Sequence, residues 1–193
     1  MTRLTIAAVL TLGLAACQQP GTTVSNNQTQ GQTDEALVQN LGAAAPQAPG
    51  TVLPAAEFAA KAAGSDLFEI ASGKLAQQKG QSDAVKSMGA MLVEEHTKSS
   101  NELKAALQGV TPSVVVPAAP PPELQARIDA LAALSAEEFD KQWTAEQIAV
   151  HQQTLADLNG YLAKGDSSTL KDWASRATGV VQKHLNELNQ LNK

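Results

Sequence analysis

Aromatic side chains make up only 3% of this chain, too few for the β-branched and aromatic runs that fill a β-sandwich. Alanine supplies much of the 43% hydrophobic content, and such small, strong helix formers suit closely packed helices. The single cysteine excludes an intramolecular disulfide. Positive charge is also short: with a net charge of −5 no basic face is available to neutralise phosphates, which excludes nucleic acid as a partner. Neither a glycine-rich phosphate loop nor a Gly-x-Ser-x-Gly elbow occurs. The adjacent acids Glu94-Glu95 and Glu137-Glu138 splay across helix faces and do not form a two-carboxylate hydrolase site. What remains is an all-α protein with no evident catalytic set, and 193 residues are enough for one domain with appendages.

The N-terminus has its own pattern. A short positive region, Met1-Thr2-Arg3, precedes an apolar run from Leu4 to Ala16 that is too short to span a bilayer, and the run ends in Leu14-Ala15-Ala16-Cys17. This resembles the lipobox of bacterial lipoproteins. It implies a signal peptide over residues 1–16 and lipidation of Cys17, which also removes the only thiol from any catalytic role. Two or more acyl chains hold a protein stably on a membrane, so the expected partner of the N-terminus is the lipid surface. Gln18 and Gln19, with no Asp after the cysteine, resemble the pattern that permits sorting to the outer membrane. The expected location is therefore the cell envelope, anchored to the outer membrane and facing the periplasm. Residues 17–52 are rich in Gln, Asn, Thr, Gly, Ala and Pro and have no sustained periodicity. They read as a lipid-anchored flexible tether with a reach of roughly 30 Å.

Residues 53–193 carry the helical signals. Pro54 and Glu57 open a first helix that runs to about Lys79; Gly80 breaks it, and Ser82-Asp83 start a second that continues to about Leu107. Pro112, Pro117, Pro120, Pro121 and Pro122 forbid a helix over residues 110–122, predicting an extended crossover. A short helix over Glu123–Leu134 follows. Ser135 and Glu138 form a capping box for a long third helix ending near Gly165, and residues 166–169 cap a fourth that reaches about Leu191. Four long helices, paired by short turns on either side of one long crossover, are the pattern of a four-helix bundle.

The polar residues fall inside the apolar stripes. The second helix reads Val85, Met88, Leu92, His96, Leu103, Leu107. The third reads Phe139, Trp143, Ile148 or Gln147, His151, Leu155, Leu158, Leu162, and the fourth Trp173, Ala177, Val180, His184, Leu188, Leu191. The first offers Phe58, Ala62, Ser65 or Asp66, Glu69, Gly73 and Ala76. Glu69, His96, His151 and His184 each fall near the middle of their own helix, within roughly 8 Å axially at 1.5 Å per residue, so the four can meet at one level of the core. All 3 histidines of the chain are placed in this way.

These residues also carry a family resemblance. Phe58-Ala-Ala-Lys-Ala-Ala-Gly-Ser-Asp-Leu-Phe-Glu69, Met91-Leu-Val-Glu-Glu-His96-Thr-Lys-Ser-Ser-Asn101, Phe139-Asp140 with His151, and His184-Leu185 are similar to segments of the bacterial envelope family known as domain of unknown function 4142. The similarity runs from about Pro54 to Leu191. Its strongest motif is Glu-His-Thr-Lys, in which Glu95 stands where the family usually has Asp. The resemblance implies a ferritin-like fold, which here would carry the short helix read over Glu123–Leu134 between helices two and three, in exported or outer-membrane proteins, and no established activity.

Two readings of the core cluster stand side by side. Three imidazoles with Glu69, and Asp66 as a further ligand or an outer hydrogen-bond acceptor, would suit one transition metal ion: Zn, Fe, Mn, Ni or Cu. A dinuclear carboxylate centre is disfavoured, because the Glu-x-x-His pairs it requires are absent: Val93, Ile148 and Val181 precede the three histidines by three residues. Alternatively the cluster is a metal-free hydrogen-bonded network that fixes helix register, with Glu69 pairing one imidazole, in a structural or interaction module of the envelope. Glu94 and Glu95 are expected to be solvated, and Trp143 and Trp173 to be core. The anchor has its own test: Cys17→Ser should abolish processing and membrane attachment in fractionated cells, and a processed, membrane-bound variant would refute the lipobox.

Overall fold

A computed structural model describes residues 53–193; the signal peptide, Cys17 and the tether expected over residues 1–52 lie outside the described residues. Five helices make up the described part: α1 (Ala55–Lys79), α2 (Asp83–Leu107), α3 (Pro122–Ala133), α4 (Ala136–Lys164) and α5 (Ser168–Leu191). None of them is long and apolar enough to cross a membrane. The starts follow the expected chemistry. Ser82, Ser135 and Ser167 accept from the backbone N–H of Val85, Glu138 and Leu170, and the Ser135 hydroxyl donates to the Glu138 carboxylate at 2.7 Å. Ser135 and Glu138 thus bond each other in both directions, although the backbone N–H of Ser135 is not the donor of a full capping box.

The connections determine the topology. Leu53, just before α1, donates its N–H to Lys164 O at the end of α4. At the other end of α1, the Asp140 carboxylate accepts from Gln81 N and Ser82 N, both at 2.9 Å, which secures the α1–α2 turn to the first turns of α4. Helix α4 is therefore antiparallel to α1 and parallel to α2, so the chain must travel the length of the bundle between α2 and α4. Residues 108–121 and α3 make that return along the flank of α1. Pro121 meets Gly64, the Arg127 guanidinium lies over the Phe68 ring at 5.6 Å and pairs with Glu146, and Lys79 donates to Leu134 O at 2.8 Å beyond the end of α3.

The four long helices close in the order α1, α2, α5, α4, with α3 covering the outer side of α1. This explains why α1 is buried over more than one face, including Ala59, Ala63, Phe68 and Ser72. The expected stripes face the core, with Ala62, Leu155, Leu162, Ala177 and Leu191 only half-buried, and two positions differ. At the alternative position in α4 it is Gln147 that is fully buried. In α5 Val180 is 39% exposed and Val181, 4% exposed, takes its place, because a step of four from Ala177 keeps the stripe on the core side of a helix with 3.6 residues per turn. Trp143 and Trp173 are core, as expected.

Two apolar clusters fill the bundle. One joins Phe58, Leu103, Leu107, Leu158, Tyr161, Leu170 and Trp173. The other joins Phe68, Val85, Met88, Leu92, Phe139, Trp143 and Leu188. At the second, α1 and α2 approach so closely that a Cβ on Gly89 would lie 2.6 Å from the Ala76 Cβ and 2.7 Å from Gly73 O. Gly179 on α5 has open space around it. The same substitution therefore acts in opposite directions at the two sites. Gly89→Ala should destabilise by about 1–3 kcal/mol through overpacking, and Gly179→Ala should stabilise by about 0.5–1 kcal/mol through helix propensity. Denaturant unfolding of the two variants checks this, and a neutral or stabilising Gly89→Ala would contradict the close crossing.

Candidate metal centre

Between the two apolar clusters lies a polar layer. Asp66, Glu69, Ser72, His96, Gln147, His151 and His184 are each at most 4% exposed. The mid-helix placement read from the sequence therefore brings the three imidazoles together: their ring centroids are 5.8, 5.4 and 5.5 Å apart, and one nitrogen from each lies within 4.8 Å of the other two.

Each ring has one nitrogen committed outward. His96 Nδ1 faces Asp66 Oδ1 at 2.8 Å, and Asp66 is itself held through its other oxygen by the Ser100 hydroxyl at 3.2 Å. His151 Nδ1 donates to Gln147 O at 2.8 Å, one turn back on its own helix. His184 Nε2 donates to Glu95 Oε2 at 2.8 Å, with Lys183 on the other oxygen at 3.2 Å. The remaining nitrogens face inward. His151 Nε2 and His184 Nδ1 are 3.4 Å apart, and His96 Nε2 is buried with no hydrogen-bond partner. Two nitrogens bound to one ion at about 2.05 Å and a tetrahedral angle would be about 3.3 Å apart, so the His151–His184 pair already has that spacing.

Glu69 stands on the outer side of the triad, with Oε1 3.5 Å from His151 Nδ1. Gln147 supports it: turned so that its NH₂ faces the Glu69 carboxyl group, 3.3 Å from Oε1, its own oxygen accepts from Ser72 at 2.8 Å. The indole of Trp143 donates to Ser72 O at 3.0 Å, tying this edge of the layer to the adjoining apolar cluster.

Burial sets the protonation states. It pushes the Glu69 carboxyl up to about 8, against the opposing His96 charge and with the Asp66 charge adding to the rise, so Glu69 is held neutral. Burial, reinforced by the charges of His96 and His184, lowers His151 to about 3. His184 is also lowered, first by burial and then by the His96 charge, against the opposing pull of Glu95. For His96 burial acts in the same direction, but its hydrogen bond to Asp66 and the charges of Asp66 and Glu95 prevail and raise it. Glu95 is held below the usual carboxylate range: burial would raise it, and the hydrogen bonds from His184 and Lys183 outweigh that. His96 is thus the imidazole that keeps a proton most firmly, and an incoming cation would displace that proton.

Of the residues anticipated from sequence, the three histidines supply the converging nitrogens, and Asp66 and Glu69 touch the rings from outside. Glu95 had been expected to be solvated and is a correction: it does point away from His96, but that direction leads to His184 on the neighbouring α5. The signal lay in the Glu-His-Thr-Lys segment, where adjacent residues on one helix serve two different partner helices. Gln147 and Ser72 carried no separate signal.

The buried acid makes stability depend on pH. Because the folded value of Glu69, about 8, lies above the ordinary 4.5, its contribution is full below pH 4.5 and is lost as pH rises toward 8. His151 runs the other way: about 3 against the ordinary 6.5, so its contribution is full above pH 6.5 and is lost as pH falls toward 3. Glu69→Gln keeps a neutral side chain throughout and removes only the alkaline loss. With a chelator present, the Tm of the variant relative to the unmodified protein should rise as pH goes from 6.5 to 8; parallel pH profiles would contradict a neutral buried Glu69.

The family model described as Domain of unknown function (DUF4142) matches residues 24–191, starting upstream of the described helices and ending with α5. No curated protein and no solved structure is a significant match. With most of its length matched, the helical layer included, the chain belongs to the DUF4142 family.

Proposed function

We propose that this is a lipid-anchored envelope protein whose ferritin-like four-helix domain holds one transition metal ion through His96, His151 and His184. The observation that carries the metal reading is the orphaned, buried His96 Nε2 facing two other inward nitrogens. With every outer ring nitrogen occupied, the inner ones have only each other, and a buried polar group without a partner costs about 1–3 kcal/mol. A cation among the three relieves this. The arrangement also follows a regular feature of metal-binding histidines, whose second nitrogen is held by a carboxylate or a backbone carbonyl: Asp66, Gln147 O and Glu95 have those places here.

An all-imidazole set suits Zn, Cu, Fe or Ni better than Mg, Ca or Mn. A single Glu69, neutral and on the far side of His151, does not make the bridging carboxylate set of a dinuclear oxidase. Holding, sensing or detoxifying a transition ion at the envelope is therefore the function the geometry favours. The envelope location is supported by the N-terminal sequence, with its lipobox at Cys17, and the ferritin-like reading by the topology, in which one long crossover joins two antiparallel pairs.

The described residues 53–193 lie within one compact unit, to be purified without chelator or affinity histidines. Elemental analysis should find close to one transition ion per chain, lost in His96→Ala and in His151→Ala. Glu95→Gln should weaken affinity by about 10–100-fold, because it disturbs only the orientation of His184. If no metal is found and Tm does not rise on adding Zn, Mn, Fe, Ni or Cu, the metal reading fails and a metal-free network remains.

A further inference from the structure

The three rings close off their inner edge as well as converging on it. His96, His151 and His184 are each at most 4% exposed, and His96 Nε2 is buried. Every carboxyl group that reaches a ring does so from outside: Asp66 at His96 Nδ1, Glu95 at His184 Nε2, and Glu69 beside His151 Nδ1. The cavity of about 480 Å³ beside the layer is on that outer side too, for its wall holds His96 with Asp66 and Glu95 but neither His151 nor His184. Among the described residues the three histidines are the only group placed to hold an ion. An ion among the inner nitrogens therefore meets three imidazoles and no fourth His, Cys, Asp or Glu, and the rings and their helices screen it from solvent.

Ligand number then separates the candidate ions. Zinc takes four ligands, and where a protein supplies three it relies on water or substrate for the fourth. Cu(II) and Ni(II) favour square-planar or tetragonal sets, and Fe(II) sites with few protein ligands leave positions for outside molecules. Cu(I) has a filled d shell and no such demand, and three nitrogens in a plane satisfy it. With a bond length of about 2.05 Å, nitrogens 120° apart on one ion lie about 3.55 Å from each other. The 3.4 Å between His151 Nε2 and His184 Nδ1 admits this geometry as well as a tetrahedral one. Charge points the same way. Asp66 is the one carboxylate at most 4% exposed that hydrogen-bonds a ring, whereas Glu95 is partly exposed and shared with Lys183. A monovalent ion is matched by Asp66; a divalent ion brings a further charge into a buried layer, where unmatched charge is costly. We propose, resting on the metal reading above, that the ion this centre selects is Cu(I), held three-coordinate by His96 Nε2, His151 Nε2 and His184 Nδ1 and shut off from outside ligands.

The compact unit that holds residues 53–193 contains no cysteine to compete for copper. Titrated under argon with Cu(I) buffered by bicinchoninate, it should take up one equivalent. Its Kd for Cu(I) should lie at least about 100-fold below its Kd for Zn(II), measured against a zinc chelator. Copper X-ray absorption should show three nitrogen neighbours with imidazole scattering, no sulfur, and no change on adding free imidazole. His184→Ala should lose the copper while keeping its helical circular dichroism. Zn(II) held as tightly as Cu(I), or more tightly, would overturn the choice of ion and leave the metal reading standing. A fourth copper neighbour, or a spectrum that responds to imidazole, would overturn the closed three-coordinate site. Failure to bind Cu(I), Zn(II) or any other transition ion would overturn both readings. The two affinities and the X-ray spectrum are measured on the unsubstituted unit, so they decide between these outcomes even where a variant fails to fold.

Discussion

Seven polar side chains are buried at one level of a bundle that is apolar above and below, and the rest of the structure is organised by the need to satisfy them. Removed from water, a carboxylate or an imidazole must find partners or change its protonation state. Both happen here. Asp66, Glu95 and Gln147 O take the outer nitrogens of the three rings, and Glu69 becomes a neutral acid at about 8. Among the described residues the buried side-chain atom left without a partner is His96 Nε2, on the same inner side as His151 Nε2 and His184 Nδ1, which face each other at 3.4 Å.

Such a layer holds its geometry only if the helices keep their register, and the fold fixes register by several independent contacts. Gly73 and Gly89 let α1 and α2 touch backbone to side chain. Asp140 holds the turn between them against α4. Leu53 and Lys164 close the opposite end. The crossover, with Pro121 against Gly64 and Arg127 against Phe68 and Glu146, encloses α1 on the side that the bundle leaves open. With α1 covered in this way, Glu69, Gln147, Ser72 and Trp143 can be joined in one hydrogen-bonded edge away from water.

The helices were readable because their ends are marked by chemistry that acts locally: serines that accept from the next turn, and prolines that cannot continue a helix. The level at which the histidines meet was readable as well, since 1.5 Å per residue converts sequence position into height. Which side chain turns inward was less so. A helical stripe leaves a choice between neighbours a hundred degrees apart, and packing against the other helices selected Gln147 over Ile148 and Val181 over Val180. Glu95 was misread because a stripe describes one interface, while α2 has two, one toward α1 and one toward α5. The ring nitrogens of His96 and His184 are directed by carboxylates on other helices, which a linear pattern does not specify. The reading of Cys17 and the segment after it rests on sequence alone.

The central claim is that three imidazoles commit one nitrogen outward and turn the other inward, unprotonated in His151 and His184 and freed of its proton in His96 by an incoming ion. Side-chain ¹⁵N NMR of the histidines, recorded with chelator and again with one equivalent of Zn, tests it directly. The account predicts the Nδ1–H tautomer for His151 and the Nε2–H tautomer for His184. On adding zinc, the inner nitrogens, Nε2 of His96, Nε2 of His151 and Nδ1 of His184, should move together to metal-bound shifts. Protons on the inner nitrogens of His151 and His184, or spectra unchanged by zinc, would contradict it.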